Sequence, residues 1–295
     1  MSMDALPARI WDQEPQPVGE AIALHDLTVV VPARNAEHLL DECLGGIRRE
    51  RPAEYIVVDG QSGDETARLA RALGARVLSD EGRGLPAARA LGAAAAHTRY
   101  VALVDADVVL HDGALASLLD EFKSGGFTAL QAGLHSVGGP GYWGRALAWH
   151  HRTGRSRNWF GVVATIFERQ TLLDHGFDAR FLSGEDIDLR WRLRRAGAKI
   201  GVSRRTVVEH RFDDTFAFAL GQWLADGRGL ARMVDGHGRR GKLLLGLPLA
   251  AGVRGGLMAL LRLQPLWLPY FAAFTLFNYV AIGGELVARR RARRA

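Results

Sequence analysis

Cysteine is almost missing from this chain of 295 residues, which carries Cys43 alone. A single thiol closes no intrachain disulfide and builds no Cys-based structural zinc site, which excludes disulfide-stapled domains and zinc modules and makes the reducing side of a membrane the natural home. No secretory leader is expected either. The opening residues, MSMDALPARIWDQEPQPVGEAIALH, put prolines and acids where a leader needs a basic start and an apolar run. They read as a loose arm over 1–26, with Trp11 docking on the body. Charge of one sign is also scarce in the body. The formal net charge is +6, from 38 Lys and Arg against 32 Asp and Glu, and Arg289, Arg290, Arg291, Arg293 and Arg294 in the tail nearly account for it. A near-neutral body argues against nucleic acid as a partner. Disorder is excluded as well, because hydrophobic residues make up 48% and charged residues 24%.

What the chain does have is a long uncharged run near its end. Pro265 to Gly284, PLWLPYFAAFTLFNYVAIGG, has the length that spans a bilayer core. Trp267, Tyr270 and Tyr279 are residue types favoured at membrane interfaces. Upstream, Leu243 to Leu261 is apolar but interrupted by Arg254. Arg239, Arg240 and Lys242 flank the pair on one side and the terminal arginines on the other, so a hairpin over 237–295 would leave both clusters in the cytoplasm. The expectation is a protein of the cell membrane with its soluble body on the cytoplasmic face. Full crossing is one arrangement. An interfacial helix pair with Arg254 reaching headgroups is another, and a pair of buried core helices is the third.

Between Leu27 and His97 apolar strand-like runs alternate with amphipathic helices. LTVVVPA, EYIVVDG, ARVLSD and YVALVDAD read as strands. The helix after the first has Leu39, Leu40, Cys43, Leu44 and Ile47 on one face. The second has Ser62 as expected N-cap and Gly74 placed to end it. GLPAARALGAAAAH and DGALASLLDEFKSG are the third and fourth helices. Such alternation predicts an α/β fold, a mostly parallel sheet flanked by helices, with ligands at the carboxyl ends of the strands. Those ends carry Pro32-Ala33-Arg34-Asn35, Asp59-Gly60 and Asp105-Ala106-Asp107. Asp105 and Asp107, two apart in an extended segment, project to the same side and suit a hard divalent cation that also bridges phosphate oxygens. Turn formation and helix capping are the structural alternative for each aspartate.

VVVPARNAE, VVDGQSGDET, GRGLPAARALGAA and VALVDADV, in this order and spacing, resemble the family 2 glycosyltransferases of GT-A fold. LLDHGFDARFLSGEDIDLRWRLRRAG resembles that family's acceptor-side segment, and the likeness extends over 27–229. It implies a nucleotide-sugar donor gripped by Pro32, Ala33, Arg34 and Asp59, with Asp105 touching the ribose. It implies Mg²⁺ or Mn²⁺ held by Asp107 and, after a later strand, His210. Asp186 would be the catalytic base, with Glu185 and Trp159 on the acceptor side. The chemistry is coherent: a leaving diphosphate needs electrostatic stabilisation, to which Arg83 or Arg89 would add, and the attacking hydroxyl needs a facing carboxylate. With one base and no second carboxylate nucleophile implied, single displacement with inversion is expected.

Other motifs have bland readings beside functional ones. Ser183-x-x-Asp186 is also a capping box, and Asp188 faces away with an indirect role. Gly82-Arg83-Gly84-Leu85-Pro86-Ala87 fits a dinucleotide fingerprint, which would suit an NAD-dependent oxidoreductase, but the next strand ends in Asp-x-Asp rather than a single ribose-binding acid. A sugar-phosphate nucleotidyltransferase would need a glycine-rich basic loop after the first strand, and 32–37 holds no glycine. A catalytically silent membrane scaffold is the last alternative. Arg152, Arg155 and Arg157, interleaved with Trp149, His150, His151 and Trp159, form a basic aromatic patch before the acceptor segment. Gln222-Trp223 departs from the Q-x-x-R-W pattern of processive members, which favours transfer of one sugar. The expected organisation is a catalytic domain over 27–236 and the hairpin behind it. The expected acceptor is a membrane lipid or a lipid-linked glycan.

Overall fold

The computed structural model describes residues 24–292 apart from 155–158, 179 and 182, so Trp11, Arg155, Arg157, Arg293 and Arg294 lie outside the described residues. The first half follows the expected alternation. Strands β1 (Leu27–Ala33), β2 (Glu54–Asp59), β3 (Arg76–Ser79) and β4 (Tyr100–Val104) are separated by helices α1 (Glu37–Glu50), α2 (Thr66–Ala72) and α3 (Leu85–Ala95). β1 and β4 are buried along their whole length, as strands covered on both faces must be. Alternate residues feed two cores: Val29 and Val31 join Leu40, Cys43, Leu44 and Ile47 of α1, while Val30 joins Ala88 and Ala93 of α3. Any side chain at Gly92 would strike Val30, so the glycine sets how closely α3 lies on the sheet.

The second half is not a continuation of that pattern. After β5 (Val108–Val109) and α4 (Ala114–Ser124) come β6 (Ala129–Gly138), α5 (Tyr142–Thr153), β7 (Ala164–Glu168), α6 (Arg169–His175), α7 (Glu185–Arg195) and β8 (Ile200–Phe212). One eight-stranded sheet results, in the order β3-β2-β1-β4-β7-β6-β8-β5. β7 runs antiparallel between β4 and β6, and β5 antiparallel to β8, so the sheet is mixed. β7 inserts between β4 and β6 and runs antiparallel to both, with Tyr100 facing Glu168 and Ala129 facing Phe167.

Two expected caps are not formed. Ser62 lies outside α2, whose N-cap is Glu65, and its hydroxyl accepts from the Asn35 amide at 2.9 Å, tying the loop after β1 to the loop after β2. Ser183 does not cap α7; Gly184 does, with φ 85°, a left-handed conformation that glycine adopts without strain.

Helices α8 (Phe216–Leu244), α9 (Leu247–Leu261) and α10 (Leu268–Ala292) close the chain. Thr215 caps α8, its hydroxyl accepting from the Phe218 amide at 3.1 Å, and Gly238 breaks the helix with φ 53° and ψ −123°. Trp223, Tyr270, Phe271 and Phe274 pack with Ala146, Leu147 and Trp149 of α5 into a third core. The helical stretches Phe216–Leu261 and Pro265–Ala292 are long and apolar enough to cross a membrane by length and composition.

Candidate active site

β4 stops at Val104, and Asp105-Ala106-Asp107 forms a tight turn closed by the Val108 amide donating to the Asp105 carbonyl at 3.0 Å. The two carboxylates therefore do not share an extended strand, and they take different partners. Asp107 is held where β8 passes: Val108 pairs with His210, and the Arg211 amide donates to the Asp107 carbonyl at 2.9 Å. That pairing brings His210 Nε2 to 3.3 Å from Asp107 Oδ2. Burial works against a charged imidazole, but the charge and hydrogen bond of Asp107, with Asp105 behind, carry the His210 pKa above its ordinary value.

Asp105 turns inward to Arg89, whose guanidinium donates to both of its carboxylate oxygens at 2.8 and 3.1 Å. The same guanidinium donates to Glu185 Oε1 at 2.8 Å. Arg89 is 2% exposed, which corrects its expected place at the donor's diphosphate: its fork joins two protein carboxylates and supports the site from below. Burial pushes the Glu185 carboxyl up to about 7, with Arg89 opposing and Asp186 adding to the rise. Burial also raises Asp105, against the pull of Arg89.

Next to Glu185, Asp186 is a half-buried carboxylate whose Oδ2 accepts from Trp159 Nε1 at 3.1 Å. Burial raises its pKa, and the indole hydrogen bond holds part of that rise back. The Arg190 guanidinium lies 4.3 Å over the Trp159 ring. The turns around Asp105 and Asp107 and the head of α7 thus converge through one buried guanidinium. Asp188 faces away as expected, bonded to Arg192 at 2.7 Å and to His237 at 2.9 Å.

At the neighbouring strand ends, Pro32 and Ala33 are buried at the end of β1, Arg34 is exposed with its side chain over Gly60, and Asp59 lies beside Ala33 in register. Asp59 accepts from the Ser62 amide at 3.3 Å. Arg83 is exposed, but its Nε bonds back to the Asp80 carbonyl at 2.9 Å. Buried Asp80 explains the glycine-rich turn. Its carboxylate accepts from the Gly82 and Gly84 amides at 2.8 and 2.9 Å, so those donors are not free to cradle a dinucleotide pyrophosphate.

Two participants, Gln131 and Asp226, escape a sequence reading, and a third, His151, is legible there only as part of the basic aromatic patch. Gln131 is fully buried on β6, donates to the Trp159 carbonyl at 3.0 Å and accepts from the Gly161 amide at 2.7 Å, fixing the segment that presents the indole. Asp226 on α8 is exposed and stands within electrostatic reach of Asp186, and the protein around it together with that charge raises its pKa. His151 sits with its ring 6.4 Å from that of His210. The expected basic patch is not a solvated face: Trp149 joins the α5–α10 core, His150 Nδ1 is 3.0 Å from the Tyr270 hydroxyl, and Arg152 donates to the Ser136 carbonyl at 2.8 Å.

Among the described residues no group of three or more His, Cys, Asp and Glu side chains surrounds a metal position. Asp107 and His210 nevertheless suit a divalent cation: Asp107 Oδ1 is buried without a partner beside an imidazole, an oxygen and nitrogen donor set that Mg²⁺ or Mn²⁺ accepts when substrate phosphates complete the shell.

Glycosyl transferase family 2 matches residues 28–178 of this chain, and the chain belongs to that family. A Mycobacterium tuberculosis protein named as an uncharacterized glycosyltransferase is 32% identical over 182 residues, 59% of this chain and 81% of its own. The 4,4'-diaponeurosporenoate glycosyltransferase of Staphylococcus aureus is 35% identical over 119 residues, 38% of this chain and 31% of its own. Among solved structures, glucosyl-3-phosphoglycerate synthase from Mycobacterium tuberculosis, in complex with Mn²⁺, UDP-glucose and phosphoglyceric acid, superposes with a TM-score of 0.57 at 22% identity, covering 76% of this chain and 85% of that one. The fold is thus of GT-A type, and the chain is a glycosyltransferase.

Proposed function

We propose that this enzyme moves a sugar from a nucleoside-diphosphate donor to a hydroxyl or phosphate acceptor by a single inverting displacement. The observation that carries it is Arg89, one buried guanidinium bonded to Asp105 at the strand end and to Glu185 at the head of α7. Through it the expected donor side and the expected base belong to one rigid unit. Pro32, Ala33, Arg34 and Asp59 line the nucleoside side, and Arg83 borders the phosphates. Asp107 and His210 would hold Mg²⁺ or Mn²⁺, which supplies positive charge to the leaving diphosphate when bound. Asp186, oriented by Trp159, takes the proton from the attacking acceptor oxygen as that oxygen bonds the anomeric carbon and the phosphate oxygen leaves with the bond pair. Its raised pKa makes it a stronger base than an exposed aspartate. Glu185 is a positioning residue.

The acceptor is a membrane lipid or a lipid-linked glycan, met at the cytoplasmic face of the cell membrane. Support comes from α8, which carries Asp226 beside Asp186 and continues into the apolar helices. The catalytic domain over 27–236 and the hairpin over 237–295 are part of the same proposal.

A thermal-shift panel of nucleoside diphosphates and their sugars, with and without Mn²⁺, tests the donor side. Metal-dependent stabilisation by one nucleotide is expected, and a flat response to all of them overturns the proposal. Asp186→Asn should keep that stabilisation and lose about 10²–10⁴-fold in transfer rate. Unchanged turnover would remove Asp186 from the role of base.

A further inference from the structure

Resting on the membrane association proposed above, we propose that the α9–α10 hairpin lies flat on one leaflet of an anionic bilayer and does not cross it. Each helix has two faces. On α9, Pro248, Gly252, Gly255 and Ala259 are buried, while Leu249, Val253, Leu257 and Leu260 on the other side are 51–56% exposed. On α10, Phe271, Phe274, Asn278 and Ile282 are buried, while Leu276 and Val280 are 59% and 56% exposed. At the turn between the helices, Leu261 and Leu263 are the most open, at 79% and 88%. Leucines presented at this density on one side of a helix pair form an apolar surface that water does not favour.

The buried faces decide the orientation. α10 lies along α8 for most of its length: Trp223 stacks on Phe277, Gly227 abuts Asn278 and Ala281, Arg232 bonds Glu285 at 2.8 Å, and Arg289 bonds Asp235 at 2.7 Å. α8 in turn packs on the catalytic domain, with Gly229 against Ser183 and Gly236 against Phe181. An upright α10 would drag α8 and the head of α7 into hydrocarbon, with Asp226, Arg228 and the Arg232–Glu285 and Asp235–Arg289 ion pairs, where a charged side chain costs about 2.5–3.5 kcal/mol on insertion scales.

Taken alone, α9 is shorter than the hydrocarbon core and reaches spanning length only together with the end of α8. Its 15 residues rise about 22 Å against a hydrocarbon core of about 30 Å. Arg254 agrees with this geometry: rather than reaching headgroups, its guanidinium donates to the Thr153 carbonyl at 2.8 Å, so α9 is tied to α5. The rim has the chemistry of an interface. Tyr142, Trp143 and Trp267 cluster at the turn end, the Tyr142 hydroxyl bonding the Leu266 carbonyl at 2.9 Å. Exposed Arg239, Arg240, Lys242, Arg290 and Arg291 stand at the other end. Aromatic rings favour the headgroup level, and clustered basic residues favour anionic lipid.

The test uses the full chain. Purified protein added to preformed vesicles of phosphatidylcholine with 30% phosphatidylglycerol should co-sediment, and Leu257→Asp combined with Val280→Asp should weaken binding at least tenfold with an unchanged circular dichroism spectrum. No co-sedimentation of the unaltered chain would overturn the membrane association itself. Topology is read separately, by a membrane-impermeant maleimide on Gln264→Cys in sealed membrane vesicles of both orientations. Labelling from the catalytic side, or protection from both sides, is expected. Labelling from the opposite side would overturn the flat arrangement and leave the association standing.

Discussion

Arg89 is the residue on which the site's electrostatics turn. A buried guanidinium facing two carboxylates is compensated, but the carboxylates without it are not. Arg89→Met should therefore cost about 3–5 kcal/mol of stability at pH 8 by chemical denaturation, and less at pH 5, where Glu185 is neutralised by protonation. Arg89→Lys should rescue little, because one ammonium cannot reproduce a fork shared between two partners. Glu185 has its own pH signature. Its folded pKa of about 7 lies above the ordinary 4.5, so the folded chain keeps a proton that the unfolded chain releases. Stability from this group is full below about pH 4.5 and is lost as pH rises through 7. Glu185→Gln should flatten the stability profile between pH 5 and 7, and an unaltered slope would assign the pH dependence elsewhere. Arg89 and Glu185 are both expected at the site, but their pairing is not legible in the chain. Asp105, Asp107 and Asp186 stand out as acids at strand and helix ends, but Arg89 and Glu185 are 96 residues apart. Nothing local marks an arginine in an Ala-rich helix as their link.

Among the elements, β1 to α4 could be read directly because each element writes its own period: apolar runs for doubly covered strands, one apolar face for each helix. β6, β7 and β8 could not, since their order and direction depend on which sheet edge remained open. Ser62 and Ser183 show the limit at helix ends. Both have capping chemistry, yet Ser62 serves the neighbouring loop and Gly184 takes the cap of α7 by conformation. Gln131 belongs to this scale, a strand residue acting on the segment after α5. With both ends of its amide engaged, it holds the chain at 159–161 so that the indole of Trp159 reaches Asp186. Gln131→Leu leaves a buried amide and a buried carbonyl without partners, which costs about 1–3 kcal/mol each at most. Steady-state kinetics should show a lower kcat with donor KM nearly unchanged. A selective rise in donor KM would place Gln131 on the nucleotide side instead.

For the whole molecule, the consequence is that the apolar C-terminal helices and the proposed reaction centre meet on α8. Gly229 touches the backbone and hydroxyl of Ser183, two residues before the Glu185–Asp186 pair, and Met233 lies against Gly184, which turns the chain into α7. Two residues before Gly229, Gly227 rests on α10. A side chain at 229 has nowhere to go, because its first carbon would stand 2.6 Å from the Ser183 carbonyl oxygen. Backbone cannot yield as a flexible side chain would, so α8 must move off α7 and carry α10 with it. Gly229→Val should cost about 1–3 kcal/mol, the range for overpacking a closed contact. The more telling effect is its distribution. Donor-induced thermal stabilisation involves the strand ends around Asp59 and Asp107, which Gly229 does not touch, and should survive, while transfer falls because Asp186 and the acceptor mouth shift together. Gly227→Val presses on α10 instead and should weaken vesicle binding more than transfer. If both variants lost donor stabilisation, transfer and vesicle binding in equal proportion, the change would be general unfolding, and α8 would have no separate role in joining the leaflet to the base.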